Sequence, residues 1–259
     1  MTEPKQGTLF ALSLGPGDPD LITRKAWGLL NQPSVWAYPI RRAGAQSYAL
    51  QIVTNAGLEV PENSLALVFP MTHDKDRLSG AWNKAAQQVL GALDQGLDLC
   101  FLVEGDASTY STFGHLSRSV RQLSPGVKVE VIPGVTSFNA AAARLGEPLA
   151  DVDDKLAILP AGYGMEAIAT ALDQFDSLVL LKVKPLLEPI IDLLEERGLS
   201  THSQFIEKAG SPEERVIREI TTLRGTAVNY LSLILVKNPL REKSPLIRGC
   251  KPKPEEPNA

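Results

Sequence analysis

Residues 8–23 read TLFALSLGPGDPDLIT. The segment begins with a short apolar run typical of a buried strand and then turns at the GPG of residues 15–17. Asp18 and Pro19 are suited to the N-cap and the first position of a helix, which we predict over Leu21–Leu30. A buried strand that leads into a helix through a glycine-rich turn is typical of α/β proteins, which bind ligands at such turns.

The same alternation of apolar runs and helical segments continues along the chain and predicts an α/β fold with a mainly parallel sheet. Strands are expected at Thr8–Leu14, Val35–Tyr38, Leu65–Phe69, Leu97–Val103, Val127–Ile132, Leu156–Leu159, Leu178–Val183, Gln204–Ile206 and Tyr230–Val236. Besides the first helix, we expect helices from Asp74 to Gly96 and from Thr112 onward, and at Thr136–Leu145, Met165–Phe175 and Leu187–Arg197.

Two domains and a tail are predicted from the turn residues and the changes of composition along the chain. The Pro-Gly at 125–126 suggests an N-terminal domain of residues 1–126 and a C-terminal domain of residues 127–240. Residues 241–259 are rich in Lys, Arg and Pro, and we expect them to form a mobile tail because they offer little apolar surface to pack.

Composition narrows the class of protein. The chain has 259 residues, 44% of them hydrophobic, and a net charge of −4, which disfavours a nucleic-acid partner because phosphate contacts require an excess of basic residues. The two cysteines indicate neither a disulfide framework nor a metal site. The first apolar run is too short to span a membrane. We therefore expect a cytoplasmic protein without a membrane partner or a bound metal.

Two further polar segments follow apolar runs directly. Residues 103–112 read VEGDASTYST and residues 132–143 read IPGVTSFNAAAA. Gly105 permits close approach of a ligand, Asp106 and the hydroxyl groups supply hydrogen-bonding atoms, and Thr136 is suited to an N-cap. Ordinary turns and helix caps are alternative explanations of each segment, so neither establishes a ligand site by itself.

In this order, the segments GPGDPDLIT, GDASTYST and PGVTSFNAAA resemble the tetrapyrrole methylase family, over residues from about 8 to 236. The resemblance implies two α/β domains, a mainly parallel sheet in the N-terminal one, a mixed sheet in the C-terminal one, and a ligand cleft between them. The chain departs from the family at Ser13, where glycine is frequent, and at Ala107, where proline is usual. Residues 69–74, 110–113 and 156–161 look like the branch that methylates carbon 20 of precorrin-2 or cobalt-factor II in cobalamin biosynthesis.

The resemblance also implies a methyl donor, S-adenosyl-L-methionine, and a small-molecule tetrapyrrole as the substrate. The cofactor-binding positions that it implies are Pro16, Glu104, Gly105, Asp106, Thr109, Tyr110, Thr136, Ser137, Leu181, Lys182, Ala209, Gly210, Leu231 and Ser232. The substrate is expected at Gly15, Gly17, Asp18, Arg41 and Arg42, since basic residues suit a substrate with several carboxylates. The family resemblance also suggests a homodimer.

An electron-rich carbon of the substrate can act as the nucleophile, so catalysis is expected to consist mainly of positioning and exclusion of water. A base could assist the loss of the proton, and Glu104, Asp106 and Tyr110 are unranked candidates. Two alternatives remain at this point: a methylase of another corrinoid carbon, and a nucleotide-binding regulator that uses the same loops without turnover.

Overall fold

The structure is a computed structural model that describes residues 6–72 and 74–241. The strands are β1 (Thr8–Ser13), β2 (Val35–Ile40), β3 (Leu65–Val68), β4 (Leu99–Val103), β5 (Lys128–Ile132), β6 (Leu156–Pro160), β7 (Ser177–Leu181), β8 (Ser203–Glu207), β9 (Arg215–Ile217) and β10 (Ser232–Lys237). The helices are α1 (Arg24–Leu30), α2 (Tyr48–Asn55), α3 (Lys75–Leu93), α4 (Phe113–Leu123), α5 (Ser137–Leu145), α6 (Met165–Gln174) and α7 (Leu187–Glu196). Of the predicted tail, residues 242–259 lie outside the described residues.

The first sheet is parallel throughout, with the strand order β3-β2-β4-β1-β5. Side chains of β1 alternate between two apolar layers, because successive residues of a strand point to opposite faces. Leu9 and Ala11 pack into the layer that contains residues of α3 and α4, whereas Leu12 packs into the layer that contains residues of α1 and α2. Burial on both faces explains why these strands appear in the sequence as continuous apolar runs.

The division between the two units lies later than the predicted boundary at residue 126. Strand β5 pairs in parallel with β1, with Leu9 opposite Val129 and Leu12 opposite Ile132. The first unit therefore runs to Glu147, and it also includes the segment Ile206–Arg215. An apolar run predicts a strand but not the sheet that it joins, and here β5 completes the N-terminal sheet next to β1.

The second unit comprises Pro148–Phe205 and the chain from Val216 onward. Its sheet has the order β6-β7-β10-β8-β9. Strand β7 pairs in parallel with β6 and antiparallel with β10, which confirms the predicted mixed sheet. Buried side chains of α6 and α7, among them Ile168 and Ile190, pack against the apolar residues of these strands.

An ion pair closes the end of the last strand. Arg241 donates from Nε to Oδ1 of Asp176 and from an Nη atom to Oδ2, and both distances are 2.9 Å. Oδ2 of Asp176 also accepts the backbone N–H of Lys155 at 2.8 Å, just before β6. Arg241, which the sequence analysis places in the mobile tail, is therefore anchored, because it neutralises a buried carboxylate.

Two further differences from the sequence predictions concern helices of the first unit. Asp18 does act as a cap, but for a short 3₁₀ turn at Pro19–Leu21. Ile22 is extended, and α1 starts only at Arg24, after Thr23 has accepted the N–H of Ala26 through its hydroxyl group. Helix α2, capped by Ser47, was not predicted. Within the described part of the chain, every helix is too short or too polar to cross a membrane.

Candidate active site

The loops after β1 and β4 run side by side at the carboxyl ends of their strands. The two strands are adjacent and parallel, so the segments that follow them leave the same edge of the sheet. Leu14 donates its N–H to the carbonyl oxygen of Val103 at 2.9 Å, and Gly15 and Gly105 exchange two backbone hydrogen bonds of 3.2 and 2.7 Å. Two of the segments singled out in the sequence are thus joined through their backbones.

Asp106 joins the loop after β4 to the loop after β5. Its Oδ2 accepts the N–H of Gly134 at 2.9 Å, and its Oδ1 accepts the N–H of Ser108 at 2.9 Å and the hydroxyl of Thr109 at 3.3 Å. The Ser108 hydroxyl also donates to Oδ1. Burial favours a raised pKa for Asp106, but the hydrogen bonds from Ser108, Gly134 and Thr109 outweigh it, so the pKa is lowered. The carboxylate is thereby held ionised within the loops.

Ser13 and Ala107, the two departures from the family pattern, contact each other. The N–H of Ala107 donates to Oγ of Ser13 at 2.9 Å, and both residues are buried. Proline at 107 has no N–H to donate, and glycine at 13 has no hydroxyl to accept it. The two departures are therefore one feature of the structure. Gly134 completes this contact, since a Cβ there would lie 2.4 Å from Cβ of Ser13.

Helix α5 begins beside these loops. Oγ1 of Thr136 accepts the N–H of Asn139 at 3.3 Å, which confirms Thr136 as the N-cap. Helix geometry leaves the N–H groups of Ser137 and Phe138 without an intrahelical acceptor. Such a helix terminus attracts an anionic group, for which it offers backbone donors and the positive end of the helix dipole.

The first loop is packed against protein at positions where the sequence analysis expects substrate. Residues 15–17 are buried, and the Tyr48 hydroxyl donates to the carbonyl oxygen of Pro16 at 3.1 Å. A Cβ at Gly17 would lie 2.6 Å from the Tyr48 hydroxyl and 3.0 Å from both the Ala209 carbonyl oxygen and the Ser211 nitrogen. Burial raises the pKa of Tyr48. Tyr48 and Ser211 were not predicted, because no local pattern relates them to the glycine-rich turn.

The remaining predicted substrate residues are more accessible. Asp18 is half-buried at the cap of the 3₁₀ turn. Arg41 and Arg42 are exposed and follow β2, at the same edge of the sheet as the loops after β1, β4 and β5. This edge therefore presents basic side chains beside the glycine-rich loops.

Glu104 and Tyr110 are the exposed members of the candidate base set. Tyr110 is 48% exposed and has a φ of +51°. Among the described residues other than glycine, Lys182 and Lys208 are the two others with a positive φ. Left-handed backbone at non-glycine residues is strained and concentrates at functional sites. Two of the three are predicted cofactor residues, and Lys208 precedes another, Ala209.

In the second unit, strand pairing brings together predicted positions that are far apart in sequence. Leu181 of β7 lies opposite Leu233 of β10, and Lys182 donates its N–H to the carbonyl oxygen of Ser232 at 2.8 Å. The Lys182 ammonium lies 5.8 Å from the ring centroid of Tyr230. Oγ of Ser232 is buried and has no hydrogen-bond partner among the described residues. These strands thus place one buried hydroxyl group without a hydrogen-bond partner among apolar side chains.

The predicted positions therefore fall into two sets. The first unit brings together the loops after β1, β4 and β5 and the turn that contains Ala209 and Gly210, and the second unit brings Leu181, Lys182, Leu231 and Ser232 together. Across residues 6–72 and 74–241, no three His, Cys, Asp or Glu side chains are grouped so as to hold a metal ion.

Known proteins are similar to this chain in sequence over most of its length. A cobalt-precorrin-2 C(20)-methyltransferase from Salmonella typhimurium is 36% identical over 231 residues, which are 89% of this chain and 96% of the relative. A probable cobalt-precorrin-2 C(20)-methyltransferase from Methanocaldococcus jannaschii is 31% identical over 88% of this chain and 95% of the relative.

A solved structure supports the fold. The uroporphyrin-III C-methyl transferase from Thermus thermophilus, complexed with S-adenyl homocysteine, superposes with a TM-score of 0.63 at 21% identity, over 89% of this chain and 92% of that one. The family described as Tetrapyrrole (Corrin/Porphyrin) Methylases matches residues 8–224. A match over most of the chain, together with relatives above 30% identity, confirms the resemblance seen in the loop motifs: this chain belongs to the tetrapyrrole methylase family.

Proposed function

We propose that this chain is a methyltransferase of cobalamin biosynthesis that transfers a methyl group from S-adenosylmethionine to carbon 20 of precorrin-2 or of its cobalt form. The observation that carries the proposal is the similarity, over nearly the whole length, to two relatives that are named for this reaction. The loops after β1, β4 and β5 support it, since they assemble the family motifs at one edge of the first sheet.

The described residues fit S-adenosylmethionine chemically. In the first unit, the N–H groups at the start of α5 suit the carboxylate of the methionine part. In the second unit, the apolar ends of β7 and β10 suit an adenine ring. S-adenosylmethionine supplies an electrophilic methyl group together with its leaving group. The Thermus thermophilus neighbour was solved with the demethylated product.

The chain's own residues would then orient the reactants and handle a proton. Asp106 is the least suited of the three candidate bases, because its lowered pKa and its hydrogen bonds to Ser108, Thr109 and Gly134 make it a poor proton acceptor. Its role is to hold two loops in place. Glu104 and Tyr110 are exposed and remain the two candidates for assisting the loss of the proton from carbon 20.

The acidic periphery of the substrate would be bound by basic side chains. Arg41 and Arg42 are exposed at the carboxyl edge of the first sheet, where guanidinium groups can pair with carboxylates in a two-point geometry. The buried turn at residues 15–17 would act indirectly, by shaping this edge rather than by touching the substrate.

The function is tested by incubating the protein with precorrin-2 and, separately, with cobalt-factor II, each with S-adenosylmethionine that carries a ¹³C-labelled methyl group. We expect one new methyl signal, at carbon 20, in the NMR spectrum of one or both products. A signal at a different carbon would assign the chain to another corrinoid methylase. Ligand binding without any methylated product would support a regulator instead.

The positioning mechanism makes its own prediction. Glu104→Gln and Tyr110→Phe should each slow the single-turnover rate with both ligands saturating by about tenfold, which corresponds to roughly 1.4 kcal/mol of misplacement. Wild-type protein measured in parallel gives the reference rate. A loss of several orders of magnitude in either variant, with both affinities intact, would identify a true acid or base and overturn the positioning account.

A further inference from the structure

The turn at residues 208–211 lies on the glycine-rich loop of the first unit. Ser211 donates its N–H to the carbonyl oxygen of Lys208 at 2.9 Å and so closes the turn. Gly210 packs against the residue that follows Gly17, since a Cβ at Gly210 would lie 3.0 Å from the nitrogen of Asp18. Close packing of two backbones means that the position of this turn and the position of the loop depend on each other.

The backbone of this turn is strained and must be held by its surroundings. Lys208 has a φ of +50° and Gly210 a φ of +77°, so two of three consecutive residues are left-handed. A lysine favours this conformation only when other contacts impose it. Gly210 suits its own conformation, but Lys208 has to be held by contacts in addition to the hydrogen bond that closes the turn.

Glu214 provides further contacts, in addition to the ion pair of 2.6 Å between Lys208 and Glu213. Its Oε2 accepts the N–H of Gly210 at 2.7 Å, and its own N–H donates to the carbonyl oxygen of Ser211 at 3.0 Å. Its side chain is only 13% exposed, and Oε1 lies 2.5 Å from Nε of Arg144, whose side chain is 59% exposed. A carboxylate with so little access to water needs a compensating cation, which Arg144 supplies.

Arg144 is itself fixed by α5. It lies in the last turn of that helix, where the helix dipole favours a positive charge. The first turn of the same helix contains Ser137 and follows Thr136, two predicted cofactor residues. One short helix therefore presents backbone donors at one end and, through Arg144 and Glu214, fixes the turn of Ala209 and Gly210 at the other.

We propose that Arg144 and Glu214 form a positioning pair that sets the affinity of the protein for S-adenosyl ligands, by holding the turn at residues 208–211 against the loop at residues 15–18. This inference rests on the proposed function, since it takes the turn to belong to the cofactor site. Neither side chain needs to touch the ligand or take part in methyl transfer.

The test compares Arg144→Gln, Glu214→Ala and the conservative Arg144→Lys with the wild type. The matched control is Arg197→Gln, which breaks the exposed pair of Arg197 and Asp173, 2.5 Å apart in the second unit. S-adenosylhomocysteine binding is measured by calorimetry, amide hydrogen exchange is followed across residues 206–215, and steady-state kinetics give KM and kcat. Circular dichroism shows whether each variant is folded. If Glu214→Ala fails to fold, Arg144→Gln still tests the proposal, because it changes an exposed side chain.

We expect Arg144→Gln to weaken S-adenosylhomocysteine binding and raise the KM for S-adenosylmethionine by about tenfold, with kcat changed by less than about threefold. Exchange in the turn should accelerate, and Arg144→Lys should restore part of the affinity. Arg197→Gln should change none of these. A merely structural pair would lower the melting temperature but leave the affinity of the folded protein unchanged.

If Arg144→Gln and Glu214→Ala both bind S-adenosylhomocysteine with the affinity of the wild type, the inference is overturned and the proposed function is left intact. Unchanged exchange in the turn would overturn it as well. Failure of the wild-type protein to bind S-adenosylhomocysteine at millimolar concentration would refute the proposed function first, and the ligand part of this inference with it.

Discussion

Asp106 and Asp176 are both buried carboxylates, but they occupy opposite ends of their sheets and are stabilised in different ways. Asp106 follows β4 at its carboxyl end and is bound by neutral N–H and hydroxyl groups. Asp176 precedes β7 at its amino end and is paired with the guanidinium of Arg241. The comparison shows that neutral donors stabilise the carboxylate at the loop end, whereas the other end uses a full ion pair to close the fold.

The largest effect is expected from breaking the ion pair. Asp176→Ala leaves the guanidinium of Arg241, 12% exposed, without its carboxylate and removes the acceptor of the Lys155 N–H. We expect the free energy of unfolding to fall by about 3–5 kcal/mol in urea titration. Asp173→Ala, which breaks the exposed pair with Arg197, is the control and should lose at most about 1 kcal/mol. Equal losses would show that burial of the pair is irrelevant.

A smaller effect is expected from the carboxylate of the loops. Asp106→Ala leaves the N–H groups of Gly134 and Ser108 without their acceptor, which should lower the free energy of unfolding by about 1–3 kcal/mol. Because the loops lose their link, the affinity for S-adenosylhomocysteine should fall more in Asp106→Ala than in Asp20→Ala. Asp20 is an exposed residue of a 3₁₀ turn, and removing its charge should cost roughly 0.3–1 kcal/mol. Calorimetry on both variants decides, and equal affinities contradict the assignment of Asp106 to the site.

The pH dependence of the unfolding free energy measures how much the negative charge of Asp106, rather than the shape of its side chain, contributes to stability. The pKa of Asp106 is lowered in the folded protein, whereas an unfolded chain titrates near about 3.9, so its stabilisation is complete above that pH. It is lost as the pH falls through the lower folded value. The difference in unfolding free energy between the wild type and Asp106→Asn should therefore stay constant from neutral pH to about 5 and narrow below about 4. Urea titrations across this range test it, and a difference that widens in acid would reverse the assigned direction.

The smallest effect concerns the neutral contact beside Asp106. Ser13→Gly removes the acceptor of the buried Ala107 N–H and should cost about 1 kcal/mol of unfolding free energy. Adding Ala107→Pro removes the donor as well, so the double variant should recover part of the loss. Ser13→Ala is the control for the missing hydroxyl alone. Thermal unfolding of the three variants checks this, and additive losses in the double variant would show that the two positions are independent.

Features with a local cause could be predicted from the sequence. Apolar runs followed by Gly, Asp or Thr located the strands and the loops, and the Thr136 cap was recognised because a hydroxyl precedes a run of alanines. The mixed second sheet came from the family resemblance and was confirmed. Each of these depends on residues that are close in sequence, or on motifs that the family shares.

Features that depend on distant pairs could not be predicted. Nothing near Lys128–Ile132 indicates that this strand joins β1 rather than the second sheet, because the edge it completes is formed more than a hundred residues earlier. Tyr48 donates to Pro16 and Glu214 pairs with Arg144, and the two partners of each contact are far apart in sequence. Asp106 was singled out as a candidate site residue, but the hydrogen bond that it accepts from Gly134 could not be predicted, because it depends on the strand order.

The hydrogen bond between Ser13 and Ala107 constrains the evolutionary history of the chain. A lineage that begins with glycine at 13 and proline at 107, the pattern that the family resemblance suggests, passes through a less stable intermediate if alanine appears first, because the new N–H is buried without an acceptor. Serine acts as the permissive substitution when it appears first. Homologues without proline at 107 should therefore covary toward a hydroxyl residue at 13, although the two positions are separated by 94 residues.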